Sequence, residues 1–343
     1  MEKGIFITRT VSEADEGADL VAFLGGCLAD LHKASLRELV REGYVQVDGR
    51  PAGENHRLRA SSRVVLQVPA ALSLQLRRRR RRGPRPSLLY EDPHCLVVDK
   101  PAGVPVIPER HRDVATLRDL LPGGGDLRIV HRLDRETSGC LLLARTLEGM
   151  RSLERQFRER RVAKRYLALV RGQGEWGEKV ADQWLGPAGG RANRMQAVDA
   201  GRRARKPHIP CKEALTHYRI LESFPGYSLV EARPRTGRTH QVRVHLAAAG
   251  LPLVADPLYG KGPDQGLFLS EFKRGFRPKP GVAEKPLLGR LGLHAAELSF
   301  TPPAGEEPVQ VAAPPPADLA RALAALRHYL RGRLAPGTRR EGG

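Results

Sequence analysis

The chain has 343 residues, 41% of them hydrophobic and 28% charged, a length and balance that fit a soluble two-domain protein able to bury a sizeable core. Against 38 Asp and Glu stand 58 Lys and Arg, for a net charge of +20, which points to a polyanionic partner. The opening Met1-Glu2-Lys3-Gly4-Ile5 has no signal-peptide pattern, no apolar run reaches the roughly 18 residues of a spanning helix, and Cys27, Cys95, Cys140 and Cys211 form no C-x-x-C pair. Secretion, a membrane span, a zinc knuckle and a disulfide framework are therefore disfavoured; a reducing cytoplasm is expected, with nucleic acid rather than membrane as the polyanion.

In chain order, Leu20, Phe23, Leu24 and Leu28 recur at helical spacing. Ser35 with Glu38 predicts the capped start of a second helix, which Gly43 ends. Tyr44 to Val47 alternates like a strand, Asp48-Gly49 is a hairpin turn, and Arg63 to Val68 is a closing strand. The composition then breaks at Arg77 to Arg82, followed by Gly83-Pro84-Arg85-Pro86, which predicts a linker, either a passive tether or a phosphate clamp that would make RNA binding salt-sensitive.

Beyond the linker, strands are expected at Cys95 to Val98, Cys140 to Ala144, Tyr166 to Val170 and Tyr227 to Ala232. A helix shows Leu147, Met150, Leu153 and Phe157 on one face. After Pro314-Pro315-Pro316, Leu319, Leu323, Leu326 and Leu330 line a last amphipathic helix, read as a docking stripe. The expected partition is a small domain over 1–70, the linker over 71–87, a catalytic α+β domain over 88–312, and a C-terminal helix and tail over 313–343.

Three segments carry chemistry. The first is His131-Arg132-Leu133-Asp134-Arg135-Glu136-Thr137-Ser138-Gly139, a turn-rich stretch before a buried strand. Arg132 and Arg135 flank Asp134, and nearby positive charge favours an ionised carboxylate, which can serve as a nucleophile or simply belong to a surface ion-pair cluster. The second is Lys164-Arg165-Tyr166, where Tyr166 is either core or an aromatic face with a phenolic oxygen for proton transfer. The third is Arg235-Thr236-Gly237-Arg238-Thr239-His240-Gln241-Val242-Arg243-Val244-His245, a turn leading into a helix expected to be capped by Thr239 and closed by Gly250 and Pro252. Arg238, His240 and Arg243 are spaced to sit together on its first turns, where backbone N–H groups suit a phosphate. His240 and His245 are not at the spacing of a helical zinc pair, and no P-loop or dinucleotide fingerprint occurs, so neither metal nor cofactor is expected. A metal-dependent RNA hydrolase and a catalytically silent RNA-binding factor are the competing readings.

Together the three segments resemble the RluA-type family of RNA pseudouridine synthases. Leu96-Val97-Val98-Asp99-Lys100-Pro101-Ala102-Gly103, Lys212-x-Ala214-x-Thr216-x-Tyr218, Asp256-x-x-Tyr259-Gly260 and Leu293-His294-Ala295 extend the likeness over essentially the whole chain; Ala255 departs from it, standing where the family usually has Gly. The stretch from Ser35 to Gly49 resembles the αL RNA-binding module of the ribosomal S-four type, although Asp19 and Val21 stand where that module has Arg and Asp. The resemblance implies a catalytic domain with a central mixed, largely antiparallel sheet, preceded by a small αL domain. It implies Asp134 as the catalytic aspartate, Tyr166 as the active-site tyrosine and base, Arg243 as the partner of the aspartate, and Arg132 as the arginine that replaces a flipped-out base. His131, Thr137, Lys164, Arg238 and His240 are expected to bind RNA. Asp134 attacks the ring or the sugar, or assists deprotonation of the sugar. The expected substrate is ribosomal RNA of the large subunit, with transfer RNA as the alternative, and the expected form is a monomer.

Overall fold

The computed structural model describes residues 5–27, 33–68, 84–108, 114–122, 124–189, 194–198, 210–260, 266–278, 281–330 and 333–334. The arginine run Arg77–Arg82, Leu28 and Gly123 lie outside them. The chain divides into two compact units, Met1–Arg85 with Val104–Gly125, and Pro86–Gly103 with Asp126–Gly343.

The first unit contains β1 (Ile5–Thr10), α1 (Leu20–Cys27), α2 (Lys33–Arg41), β2 (Val45–Val47), β3 (Arg50–Pro51), β4 (Arg63–Val68) and the short α3 (Leu117–Leu120). Its sheet runs β1-β4-β2-β3 and is antiparallel throughout. Alternation in β4 buries Val64, Leu66 and Val68, which join Leu20, Leu24, Leu36, Leu39 and Val45 in one core. Asp48 and Gly49 both have positive φ, 51° and 79°, as a two-residue hairpin with the twist of its strands requires. α2 begins at Lys33, so the predicted cap Ser35 falls inside its first turn. Asp19 caps α1 instead, its Oδ1 accepting the Ala22 N–H at 3.0 Å.

The second unit contains β5 (Ser87–Glu91), β6 (Cys95–Lys100), β7 (Arg128–Ile129), β8 (Ser138–Ala144), α4 (Leu147–Arg158), β9 (Ala163–Arg171), β10 (Glu178–Pro187), β11 (Met195–Val198), β12 (Lys212–Phe224), β13 (Tyr227–Pro234), α5 (Gln241–Ala248), β14 (Leu293–Phe300), β15 (Val309–Ala312), α6 (Ala317–Leu330) and β16 (Arg333–Leu334). The main strand order is β11-β10-β12-β13-β9-β14-β8-β6-β5, with β15 on β14, β16 on β12 and β7 on β8. Among the described residues β14 with β8 is the parallel pair and the others are antiparallel, so the α+β class and the mixed, largely antiparallel sheet are as predicted.

β8 is buried at every position, as an apolar run covered on both faces should be. Thr146 caps α4 by accepting the Gly149 N–H at 3.0 Å, and Met150, Leu153 and Phe157 pack toward Cys140, Leu142 and Phe300. Leu147 is exposed and leaves the predicted stripe. The stripe of α6 does dock: Leu319, Leu323 and Leu326 are buried with Leu169, Phe224 and Leu229. α6 belongs to the second compact unit.

Candidate active site

The loop from Leu133 to Thr137 is held by backbone and buried polar groups before any side chain of the site is placed. Gly103 N–H and the Lys100 ammonium both donate to the Arg135 carbonyl, each at 2.9 Å. Lys100 is fully buried and also donates to the Pro101 carbonyl at 3.0 Å. Burial pushes its ammonium down to about 7. At the far end of the loop Ser138 hydrogen-bonds His294 Nδ1 at 3.0 Å, and His294 Nε2 meets the Ala313 carbonyl at 3.1 Å. The next residue must be glycine. Gly139 has φ of 110°, and a Cβ there would lie 2.2 Å from the Ala295 carbonyl oxygen of the parallel neighbour β14.

On that fixed loop Asp134 meets Arg243 from α5. Arg243 Nη1 donates to Asp134 Oδ2 at 2.9 Å. The other edge of the guanidinium is occupied by Asp256, whose Oδ2 takes Nε at 2.9 Å and whose Oδ1 takes Nη2 at 2.8 Å. Asp256 also accepts the Leu258 and Tyr259 N–H groups at 2.9 and 3.1 Å. Burial works against charge on Arg243, but the two carboxylates outweigh it and hold the guanidinium firmly protonated. The Asp256 side chain has 0% exposure and that of Asp134 has 28%, so one arginine bridges a sealed carboxylate and a reachable one.

Tyr166 on β9 is part-buried, and burial first, then the Asp134 charge, push its phenol far up, so it is neutral. His240 also approaches the aspartate, with Nε2 4.0 Å from Asp134 Oδ2 and Nδ1 2.9 Å from the Tyr259 hydroxyl. Lys164 ties β9 to the turn before α5 by donating to the Thr236 carbonyl at 3.1 Å, and burial brings its ammonium down to about 8. Arg132 is exposed beside the loop.

Other expectations fall differently. α5 starts at Gln241 and its cap position is His240 with φ of 56°; Thr239 is exposed and does not cap. The Gln241 side chain folds back over the preceding turn: its Oε1 accepts from Arg238 N–H at 3.0 Å and Thr236 Oγ1 at 2.7 Å, while Nε2 donates to Leu215 O at 3.0 Å and Thr216 Oγ1 at 2.9 Å. The Arg238 amide is therefore not open to a phosphate, and its side chain turns to the Glu213 carbonyl at 2.9 Å instead of joining His240 and Arg243. His131 faces inward: Nε2 accepts the Leu142 N–H at 2.9 Å, the ring lies 4.7 Å from Phe157, and burial takes it down to about 3. Thr137 is buried too, its hydroxyl without a partner among the described residues. The sequence reading assigned no role to Asp256 or Tyr259; only their place in the Asp256-x-x-Tyr259-Gly260 motif marked them.

The site thus presents a carboxylate with one oxygen held by a buried arginine, an aromatic ring beside it, and an exposed arginine on the same loop, in a chain of net charge +20. The family described as RNA pseudouridylate synthase matches residues 94–248. Ribosomal large subunit pseudouridine synthase D of Xanthomonas campestris is 35% identical over 92% of this chain and 91% of its own length. Ribosomal large subunit pseudouridine synthase C of Escherichia coli is 33% identical over 94% and 96%. Among solved structures, human RNA pseudouridylate synthase domain containing 4 superposes with a TM-score of 0.54 at 26% identity, covering 75% of this chain and 96% of that one. The chain belongs to the RluA-type family of RNA pseudouridine synthases and is an isomerase of that class. No helix among the described residues is long and apolar enough to cross a membrane.

Proposed function

We propose that this enzyme converts specific uridines of large-subunit ribosomal RNA to pseudouridine, acting as a cytoplasmic monomer with Asp134 as its catalytic carboxylate. The observation that carries the reading is the Asp134–Arg243–Asp256 chain, in a protein that aligns nearly end to end with synthases of ribosomal large-subunit RNA.

The reaction breaks the bond between N1 of uracil and C1′ of the ribose, turns the ring, and joins C5 to C1′. The proton on C5 is released and N1 ends with one, so no atom enters or leaves overall. The target must first quit its stack, at a cost of a few kcal/mol. Exposed Arg132 fills the space left in the RNA, and Tyr166 packs on the extruded ring. Because its phenol is held neutral, Tyr166 enters as a stacking surface and a hydroxyl rather than as a preformed phenolate. Asp134 assists departure of the uracil, held in place by Arg243 and served by groups that need no rearrangement during the reaction. Lys164 lines the approach for phosphates and sugar, and His240 stands at the inner end of that approach beside Asp134. Residues 1–70, as an αL module of the S-four type, and the arginine run of the 71–87 linker add sequence-independent affinity for RNA, with the catalytic domain over 88–312 and a C-terminal helix and tail over 313–343.

The test is to deplete the gene in its own host and map pseudouridines in total ribosomal and transfer RNA by carbodiimide-stop sequencing. Sites in large-subunit RNA should vanish and return with the wild-type gene but not with Asp134→Asn. Loss confined to transfer RNA overturns the substrate, and restoration by the variant overturns the role of Asp134.

A further inference from the structure

Tyr259 and His240 are placed with more care than a generic RNA-binding surface needs. His240 has φ of 56°, a left-handed conformation that costs a histidine energy and persists where the surroundings impose it. Tyr259 supplies those surroundings. Two guanidinium groups lie over its ring, Arg243 at 5.1 Å and Arg194 at 5.8 Å from the centroid. Its hydroxyl accepts the Met195 N–H from β11 at 2.9 Å and touches His240 Nδ1 at 2.9 Å.

Counting donors settles the direction of that second contact. A phenol has one proton to give. Burial comes first among the influences on Tyr259 and raises its phenol, so the proton is present. Among the described residues His240 Nδ1 is the acceptor within reach, and giving the proton there leaves neither group unsatisfied. Nδ1 then carries no hydrogen, Nε2 does, and Nε2 is the nitrogen 4.0 Å from Asp134 Oδ2. Burial outweighs the pull of Asp134 and keeps the imidazole neutral. Arg243 donates to the same oxygen, Oδ2, and Oδ1 has no hydrogen-bond donor among the described residues.

We propose that Tyr259 is a positioning residue that locks His240 as its Nε2–H tautomer, so that His240 and Arg243 together hold Asp134 by Oδ2 and leave Oδ1 as the oxygen that acts on the target nucleotide. The proposal rests on the reading of Asp134 as the catalytic carboxylate. The 4.0 Å gap closes when substrate occupies the site, as catalytic hydrogen bonds commonly do.

Two measurements test it. Protein with nitrogen-15 histidine, with His240 assigned by loss of its signals in His240→Gln, reports the tautomer directly. His240 should be protonated on Nε2 in the wild type and shift toward the Nδ1–H form in Tyr259→Phe. Tritium release from large-subunit ribosomal RNA transcribed with 5-tritiated uridine reports turnover, because the C5 proton must leave. Tyr259→Phe should lower the single-turnover rate about tenfold, the worth of one well-placed hydrogen bond, with little change in KM. His240→Gln, which retains a donor, should exceed His240→Leu; that pair decides the matter if Tyr259→Phe fails to fold. A wild-type Nδ1–H tautomer, or Tyr259→Phe at the wild-type rate, overturns the proposal. Asp134→Asn run alongside keeps the two ideas apart: its inactivity with an unaffected Tyr259→Phe sinks this inference alone, whereas an active Asp134→Asn sinks the reading beneath it.

Discussion

Two clusters of arginine and carboxylate are built in opposite ways, one joining α5 to the loops that carry Asp134 and Asp256, the other set on β9, β12 and β13. In the first, Arg243 serves two acids, Asp256 and Asp134. In the second, Glu231 serves three arginines: Arg219 and Arg233 on Oε1 at 3.0 and 2.9 Å, and Arg165 on Oε2 at 3.7 Å. The neighbours Arg165 and Tyr166, and Glu231 and Ala232, point to opposite faces because strand side chains alternate. Glu231 has both oxygens occupied and its side chain is 5% exposed, so it can react with nothing. Asp134 has one oxygen held, one without a donor among the described residues, and 28% of its side chain open. An acid saturated by arginine holds a sheet together; an acid half-held by an arginine that is itself clamped is available for chemistry.

The sharpest way to break that contrast is Asp256→Asn. It leaves Arg243 buried with a single charged partner, and losing one side of a buried pair costs about 3 kcal/mol or more. Chemical unfolding should report that loss, and tritium release should fall with it because Arg243 no longer holds Asp134 in register. Acid should also weaken the face that carries the site. Burial lowers His245 on α5 to about 4 and His131 to about 3. In the unfolded chain both take up a proton near pH 6.5, so between there and about pH 4 the unfolded state holds more protons than the native one. Stability therefore rises with pH across that window and is lost as pH falls, by up to about 1.4 kcal/mol per pH unit for each histidine. Urea midpoints between pH 4 and 7 should show the slope, and His245→Gln should reduce it.

Glu231→Gln, on the opposite face, should cost about 1–2 kcal/mol of stability, since two of its three arginines are about half-exposed and screened. Turnover below the unfolding transition should stay within about twofold of wild type; a large drop in rate would show that the two faces are not separate. The smallest effect is expected at Ala255, which precedes Asp256 with φ of 56°. Ala255→Gly relieves a left-handed alanine and should raise stability by about 0.5–1 kcal/mol at unchanged rate, seen as a higher melting temperature.

Much of this was legible in the sequence, for definite reasons. β4 and α4 follow from periodicity alone, because each buries one face. Asp134, Tyr166 and Arg243 lie in segments marked by charge and by a neighbouring strand or helix, but local pattern leaves each open to a plain structural role, and it is the resemblance of the three segments to one family that implies their parts in the site. What could not be read is what depends on distant pairing. β1 carries no turn signal toward its partner β4, dozens of residues later. The clamp of Asp256 on Arg243 crosses thirteen residues and a helix end. Thr239 has the chemistry of a helix cap, but the cap position falls to His240, and Gln241 at the first helical position sends two of its four hydrogen bonds to β12, which local spacing cannot reveal. His131 reads as a surface ligand beside Arg132, yet the Leu142 amide and Phe157 draw it inward. The residue beside Asp256 is the converse case. Ala255 was noticed only as a departure from a family glycine, and its positive φ supplies the physical reason for that glycine.

The most direct test of the account is tritium release by purified Asp134→Asn on large-subunit ribosomal RNA carrying 5-tritiated uridine, beside the wild type and with melting temperatures recorded for both. The account predicts a folded variant slower by at least about a thousandfold, the scale of losing a catalytic carboxylate whose role no neighbour can assume. A folded Asp134→Asn that turns over within about tenfold of the wild type would contradict it.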